Sequence, residues 1–244
     1  MKCCVAAVLF VLLPGIVNAQ ETTPPAGQTW SGNFGAGLSL TRGNSDTKNI
    51  NLSAELAERI NARNVAKYDA FYLRADSGGA LTVDRTTLGA RDEYTLSPLT
   101  YAFADIHFLR DRFKEIDSLI TPTIGAGHHL IKDATTDLAV EAGAGAVVEK
   151  DIGLARETSG AINAKQLLTW KFSPTATFGE TAAGLWKTND FGDALYHVEV
   201  SLASNLTARS QLKLSALDDY KTKPPAAGIK KNDVSIIAAV VMKF

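Results

Sequence analysis

From Trp30 to Phe244 apolar side chains recur at every second position, segment after segment. In 138–148, Leu138, Val140, Ala142, Ala144, Ala146 and Val148 share one face, and Ala139, Glu141, Gly143, Gly145 and Val147 share the other. The last segment repeats this, with Val234, Ile236, Ala238, Val240, Met242 and Phe244 opposed to Asp233, Ser235, Ile237, Ala239, Val241 and Lys243. Side chains alternate across a strand, so period two means strand, and no stripe at the helical period of 3.6 competes with it.

Turn signals divide the chain into twelve such segments, at about 30–41, 47–60, 65–76, 84–96, 100–110, 118–131, 136–150, 156–170, 175–186, 193–206, 210–220 and 231–244. Soluble strands average about 5–6 residues, whereas a strand tilted across a bilayer needs about 9–11. The pattern predicts an all-β fold, an antiparallel transmembrane β-barrel of about 12 strands of the outer-membrane type. A soluble sandwich or barrel would expose too many apolar faces to water. No run of 18 apolar residues follows the first twenty, which excludes a helical membrane protein. A formal charge of −1 with 45% hydrophobic residues argues against both nucleic-acid binding and disorder.

An even strand count brings both ends of the barrel domain, 30–244, to one side, expected to be the periplasm. The periplasmic connections are then 61–64, 97–99, 132–135, 171–174 and 207–209, all short. The outer ones are 42–46, 77–83, 111–117, 151–155, 187–192 and 221–230, on average longer and richer in charge. Trp30, Tyr94, Tyr101, Trp170, Phe178 and Phe244 fall near inner strand ends, and Tyr72, Phe108, Trp186, Tyr196 and Tyr220 near outer ones. Two such groups around an aliphatic band match the aromatic girdles of membrane barrels.

Charge must then collect in the lumen. Lys67, Asp69, Arg85, Arg91, Glu93, Glu141, Glu149, Lys165, Glu199, Lys213 and Asp219 lie opposite the apolar faces and are the lumen candidates. Both signs are present, which favours internal ion pairs over a strongly selective pore. Glu180 shares the Phe178 and Trp186 face, and a bulge at Gly179 is expected to turn it inward. In 100–110 the Tyr101–Phe103 face and the Ala102–Ala104–Ile106–Phe108 face compete for the lumen. Arg74, Arg156 and Asp218 lie near outer ends, and Asp92 near an inner end.

Met1 and Lys2 precede the apolar run Cys3 to Leu13, the breaker Pro14–Gly15, and Val17–Asn18–Ala19. This reads as a cleaved signal peptide over 1–19, too short to serve as an anchor. It is followed by a short periplasmic segment at 20–29. Both cysteines lie in the leader, so the mature chain is expected to lack disulfides, which points to a bacterial envelope.

Leu40–Thr41–Arg42–Gly43–Asn44–Ser45–Asp46–Thr47 resembles the first hairpin of the DUF481 family, the YdiY-like salt-induced outer membrane proteins. Asp111 to Asp117 looks like that family's middle loop, and Pro224–Pro225 followed by Gly228 to Asp233 like its last loop. The resemblance spans about 30–244 and implies an outer-membrane barrel without an established activity. Phe244, with Met242 and Val240 at alternate positions, resembles the C-terminal signal read by the barrel-assembly machinery.

No catalytic, cofactor or metal site is expected. Adjacent His128 and His129 point to opposite faces of a strand, and His107 and His197 lack partners at ligand spacing. Ser201, His197 and Glu199 share a face, but nothing sharpens a nucleophile there. The expected partners are outer-membrane lipids, lipopolysaccharide and the assembly machinery, with a monomer favoured. Three roles compete: an envelope-integrity barrel responsive to salt stress, a narrow diffusion channel for ions or small solutes, and, more weakly, a lipid-modifying enzyme.

Overall fold

The alternating segments become twelve strands in a computed structural model, which describes residue 24 and residues 27–42, 47–77, 80–224 and 230–244. The leader, most of 20–29, and the Gly43–Asn44–Ser45–Asp46 part of the first hairpin lie outside the described residues. The strands are β1 (Trp30–Arg42), β2 (Thr47–Arg59), β3 (Asn64–Ser77), β4 (Ala80–Ser97), β5 (Thr100–Asp111) and β6 (Ile116–Lys132). They continue with β7 (Thr136–Asp151), β8 (Glu157–Trp170), β9 (Ala176–Lys187), β10 (Asp190–Asn205), β11 (Ser210–Lys221) and β12 (Asn232–Lys243). Each pairs antiparallel with its neighbour in sequence, and β1 closes on β12 in a register running from Asn33 opposite Lys243 to Arg42 opposite Val234.

The five connections at the end that carries the termini stay tight because a side chain closes each one. Asn61 accepts from the Arg63 amide, Ser97 from Thr100, and Asp133 from Thr135 and Thr136. Ser173 accepts from Thr175 and Ala176, and Thr207 from Arg209 and Ser210. Short oxygen-bearing side chains thus supply the acceptors the turning backbone needs. The backbone amides of Thr135 and Thr136 also hold the Asp133 carboxyl below the usual carboxylate range.

The opposite, loop end departs from the expected boundaries. β4 begins at Ala80, because the ladder with β3 continues past a register shift at Ala75 and Asp76. β9 reaches Lys187 and β10 starts at Asp190, so the loop expected at 187–192 shrinks to a tight hairpin. Between β5 and β6 lies a 3-10 turn, η1 (Arg112–Lys114). The Asp111 carboxylate caps it by accepting from the Phe113 and Lys114 amides, and Glu115 ends it at φ 61°.

The outer wall is apolar: Leu38 is 70% exposed and Ile124 is 69% exposed. At the loop end Trp186, Tyr196 and Tyr220 stack outside, with ring centroids 5.8 and 5.9 Å apart. The Trp186 indole donates to the Tyr196 hydroxyl at 3.1 Å. At the terminus end Trp30, Tyr94, Trp170 and Phe244 are exposed. Tyr101 does not belong to that ring. It is buried with Phe103 on the lumen face of β5, while Ala104 and Ile106 face outward. The reason lies on β6. A Cβ at Gly127 would fall 2.2 Å from the Tyr101 ring, and one at Gly125 would fall 2.5 Å from Phe103, so only bare backbone leaves these rings room inside.

Glu180 is a second correction. β9 pairs without interruption through Gly179 on both sides, so the bulge that would turn Glu180 inward is absent. The position stays in the outward-pointing set with Phe178, between Leu168 and Val200 in the register.

Inside, two apolar clusters fill the loop-end half. One joins Phe71, Leu73 and Val83 to Leu217 and Ile237, which lie on the far side of the β2–β1 seam. The other gathers Leu109, Ile116, Leu119, Val147, Ala161 and Leu195, with Leu185 against it. The ring itself is sealed at Gly32, whose amide and carbonyl both bond to Phe244, at 3.1 and 3.0 Å. Deleting Phe244 is therefore expected to lower the yield of folded barrel, read as loss of the fast-migrating band in unheated gels. An unchanged yield would remove it from a closing role.

Candidate functional site

Alternation turns the eleven charged candidates inward: eight of them line one cavity, and Arg85, Glu149 and Asp219 are buried nearer the loop end. They do not form one group. At the level of Arg91, β4 brings its guanidinium to Glu93 at 2.7 Å, Asp105 at 3.2 Å and, three strands around the wall, Glu141 at 2.6 Å. Lys67 meets Glu93 at 2.8 Å, the Tyr101 hydroxyl donates to Glu141 at 2.7 Å, and Arg91 lies 4.0 Å above the Phe103 ring. One guanidinium with its five donors thus binds three carboxylates. Elsewhere on the wall Lys213 stands 3.1 Å from Glu199, which also accepts from Ser215, and Asn33 donates to Glu55.

A second tier crosses the loop end. Arg85 of β4 reaches Asp219 of β11, five strands around the closed ring, at 3.5 Å. His197 contacts the other oxygen of Asp219 at 2.5 Å. Lys114, carried inward by η1, meets Asp233 of β12 at 2.9 Å. Lys221 of β11 and Lys187 of β9 both bind Glu149 of β7, Lys187 at 2.7 Å, and Lys187 also holds Asp193 at 2.6 Å. Burial pushes the Lys114 ammonium below the ordinary lysine range, against the pull of Asp233 and Asp111. These pairs and the apolar clusters form a crossbar over one half of the lumen.

The other half holds open space. A cavity of about 110 Å³ is lined by Lys67, Asp69, Arg91, Glu93, Glu141, Lys165, Glu199 and Lys213 among others. A second, of about 120 Å³, shares His107, Glu141, Lys165 and Thr181 with it and runs up to Leu119 and Leu185 under the crossbar. Around this space Asn163 Oδ1, His197 Nε2 and Glu199 Oε2 are buried without a hydrogen-bond partner among the described residues. Unpartnered buried polar atoms mark a space built for water or polar solute.

The histidines separate as adjacency requires. His128 faces outward and meets Thr100, whereas His129 is buried between Asp137 and Lys132. Among the described residues no group of three or more His, Cys, Asp or Glu is placed to hold a metal ion. Ser201, His197 and Glu199 do not form a relay, since His197 bonds Asp219 and Glu199 bonds Lys213 and Ser215.

Sequence reasoning missed Lys114, because a polar loop residue gives no sign that its turn folds inward. It also missed Asp105, whose face follows only once Gly125 and Gly127 are recognised as seats for aromatic rings.

A closed ring of twelve antiparallel strands with an apolar wall and a charged interior defines an outer-membrane-type β-barrel. Solved porins and channels share this fold. The NanC porin aligns with a TM-score of 0.58 at 10% identity, over 86% of this chain and 98% of that one. The KdgM porin aligns at 0.54 and 7%, over 87% and 99%. An outer membrane channel from Pseudomonas putida F1 aligns at 0.52 and 15%, over 88% and 95%. No curated protein matches the sequence. A family profile described as protein of unknown function, DUF481, matches residues 34–244, and the chain belongs to that family.

Removing Arg91 would leave three carboxylates facing one another. Arg91→Ala is expected to lower the unfolding free energy by about 3–5 kcal/mol, and Glu141→Gln by less. Tryptophan fluorescence during urea unfolding from lipid vesicles checks the order.

Proposed function

We propose that this chain is a narrow, non-enzymatic channel of the bacterial outer membrane, with a crossbar that holds it closed for much of the time. The observation behind this reading is the pair of cavities under the crossbar, which share His107, Glu141, Lys165 and Thr181 and are lined by charged side chains. A barrel serving only as a structural post would gain stability by packing that space with apolar side chains. The shared fold of NanC, KdgM and the Pseudomonas channel agrees with it.

In this reading residues 1–19 direct export and both termini lie in the periplasm. The barrel is a monomer in contact with outer-membrane lipids and lipopolysaccharide. Phe244, Met242 and Val240 present the signal to the assembly machinery. Protein sequencing of the membrane fraction is expected to begin at Gln20; a retained Met1 would reject the cleaved leader.

The crossbar also supports a second reading, an envelope-integrity barrel that answers salt stress. Arg85–Asp219, Lys114–Asp233 and the apolar clusters tie opposite walls together, which stiffens the barrel whether or not anything passes through it.

Planar-bilayer recording separates the two. The channel reading predicts small, infrequent current steps at neutral pH and longer openings for Lys114→Ala. The Lys114 ammonium, destabilised by burial, loses its proton below the ordinary lysine value of about 10.4, and its attraction to Asp233 goes with it. Alkaline solution approaching that value is therefore expected to lengthen openings in the wild type, with a smaller effect in Lys114→Ala. Flat traces from both proteins at every pH would leave the structural role.

A further inference from the structure

Ion pairs and hydrogen bonds satisfy most of the charges that line the first cavity, and Lys165 and Asp69 are exceptions. Lys165 and Asp69 both face it, yet neither makes a hydrogen bond or ion pair among the described residues. They are opposite in sign and within each other's electrostatic reach, and Lys165 also feels the Glu141 carboxylate that stands opposite it in the β7–β8 register, without a hydrogen bond to either. Register explains the space between them. Asp69, Gly89 and His107 are successive partners across β3, β4 and β5. A Cβ at Gly89 would stand 2.0 Å from an Asp69 carboxylate oxygen, so the carboxylate leans over bare backbone toward the His107 ring. That ring lines both cavities and is also without a partner among the described residues. The buried Asn163 oxygen, which lacks a hydrogen-bond partner, borders the second cavity beside Lys165.

We propose that this space binds a small zwitterion, its carboxylate held by Lys165 and its ammonium by Asp69, with His107 and Asn163 offering neutral hydrogen bonds. A lone anion or cation would satisfy one of the two charges and leave the other unpaired in a largely desolvated lumen. A molecule carrying both charges satisfies the two together. The cavity of about 110 Å³ suits a solute of a few heavy atoms. The assignment rests on the channel reading only for the route by which the solute arrives.

Binding to the full barrel in detergent, measured by calorimetry, tests it without requiring conductance. Glycine, β-alanine and γ-aminobutyrate vary the separation of the two charges, while acetate and methylammonium carry one charge each. The expected result is that one zwitterion binds at least about tenfold more tightly than either single-charge probe. Asp69→Asn and Lys165→Gln should each weaken it by at least about tenfold, and Lys165→Arg, which keeps the charge, should retain most of the affinity. Gel migration without heating confirms that each variant is folded. Zwitterion binding no tighter than that of acetate or methylammonium, or affinity unchanged in folded Asp69→Asn and Lys165→Gln, overturns the site. Lost binding with intact current steps rejects the site alone, whereas retained binding with flat traces supports the site and rejects the channel.

Discussion

Hydrocarbon offers a backbone amide or carbonyl no hydrogen-bond partner, and the architecture follows from that. A sheet in such surroundings must close on itself, as β1 does on β12, and must turn its aliphatic alternate positions outward. The polar alternate positions then have only the lumen to occupy. Because twelve strands enclose more space than side chains alone fill, the interior becomes a place where charges meet across a gap.

Much of this was legible from residue order. Strict alternation in 138–148 and 231–244 marks strand and face together, since a slip of one residue would exchange lumen and lipid sides. Arg91, Glu93 and Glu141 follow directly from it. What alternation does not carry is distance across the barrel. That Arg85 reaches Asp219, or that Lys221 reaches Glu149, depends on which walls face each other, and this is a property of the closed ring. Strand β5 was ambiguous because either of its faces is apolar enough for lipid. Glycines on the neighbouring strand decided the matter, and they act through space rather than through periodicity. Glu180 shows the opposite limit. A rule that places carboxylates inside was outweighed by an uninterrupted ladder that would have had to break to obey it.

The two tiers of charge differ in kind. Around Arg91 the carboxylates share one cation, so the group is cohesive and local to one wall. At the loop end each cation comes from a different element, η1, β4, β9 or β11, and ties together strands that are otherwise distant. The first arrangement lines a cavity; the second spans the loop-end half of the lumen beside it. Membership of the DUF481 family and the fold shared with porins are compatible with both.

The lumen is consequently unequal along its axis, and a voltage applied across the membrane would not fall evenly within it. More of the drop would lie over the filled half, where ions are scarcest, than over the half that holds the cavities. The ammonium of Lys114 and the guanidinium of Arg85 would then sit in the steeper field, able to respond to its polarity, while Lys165 and Asp69 would sense it less.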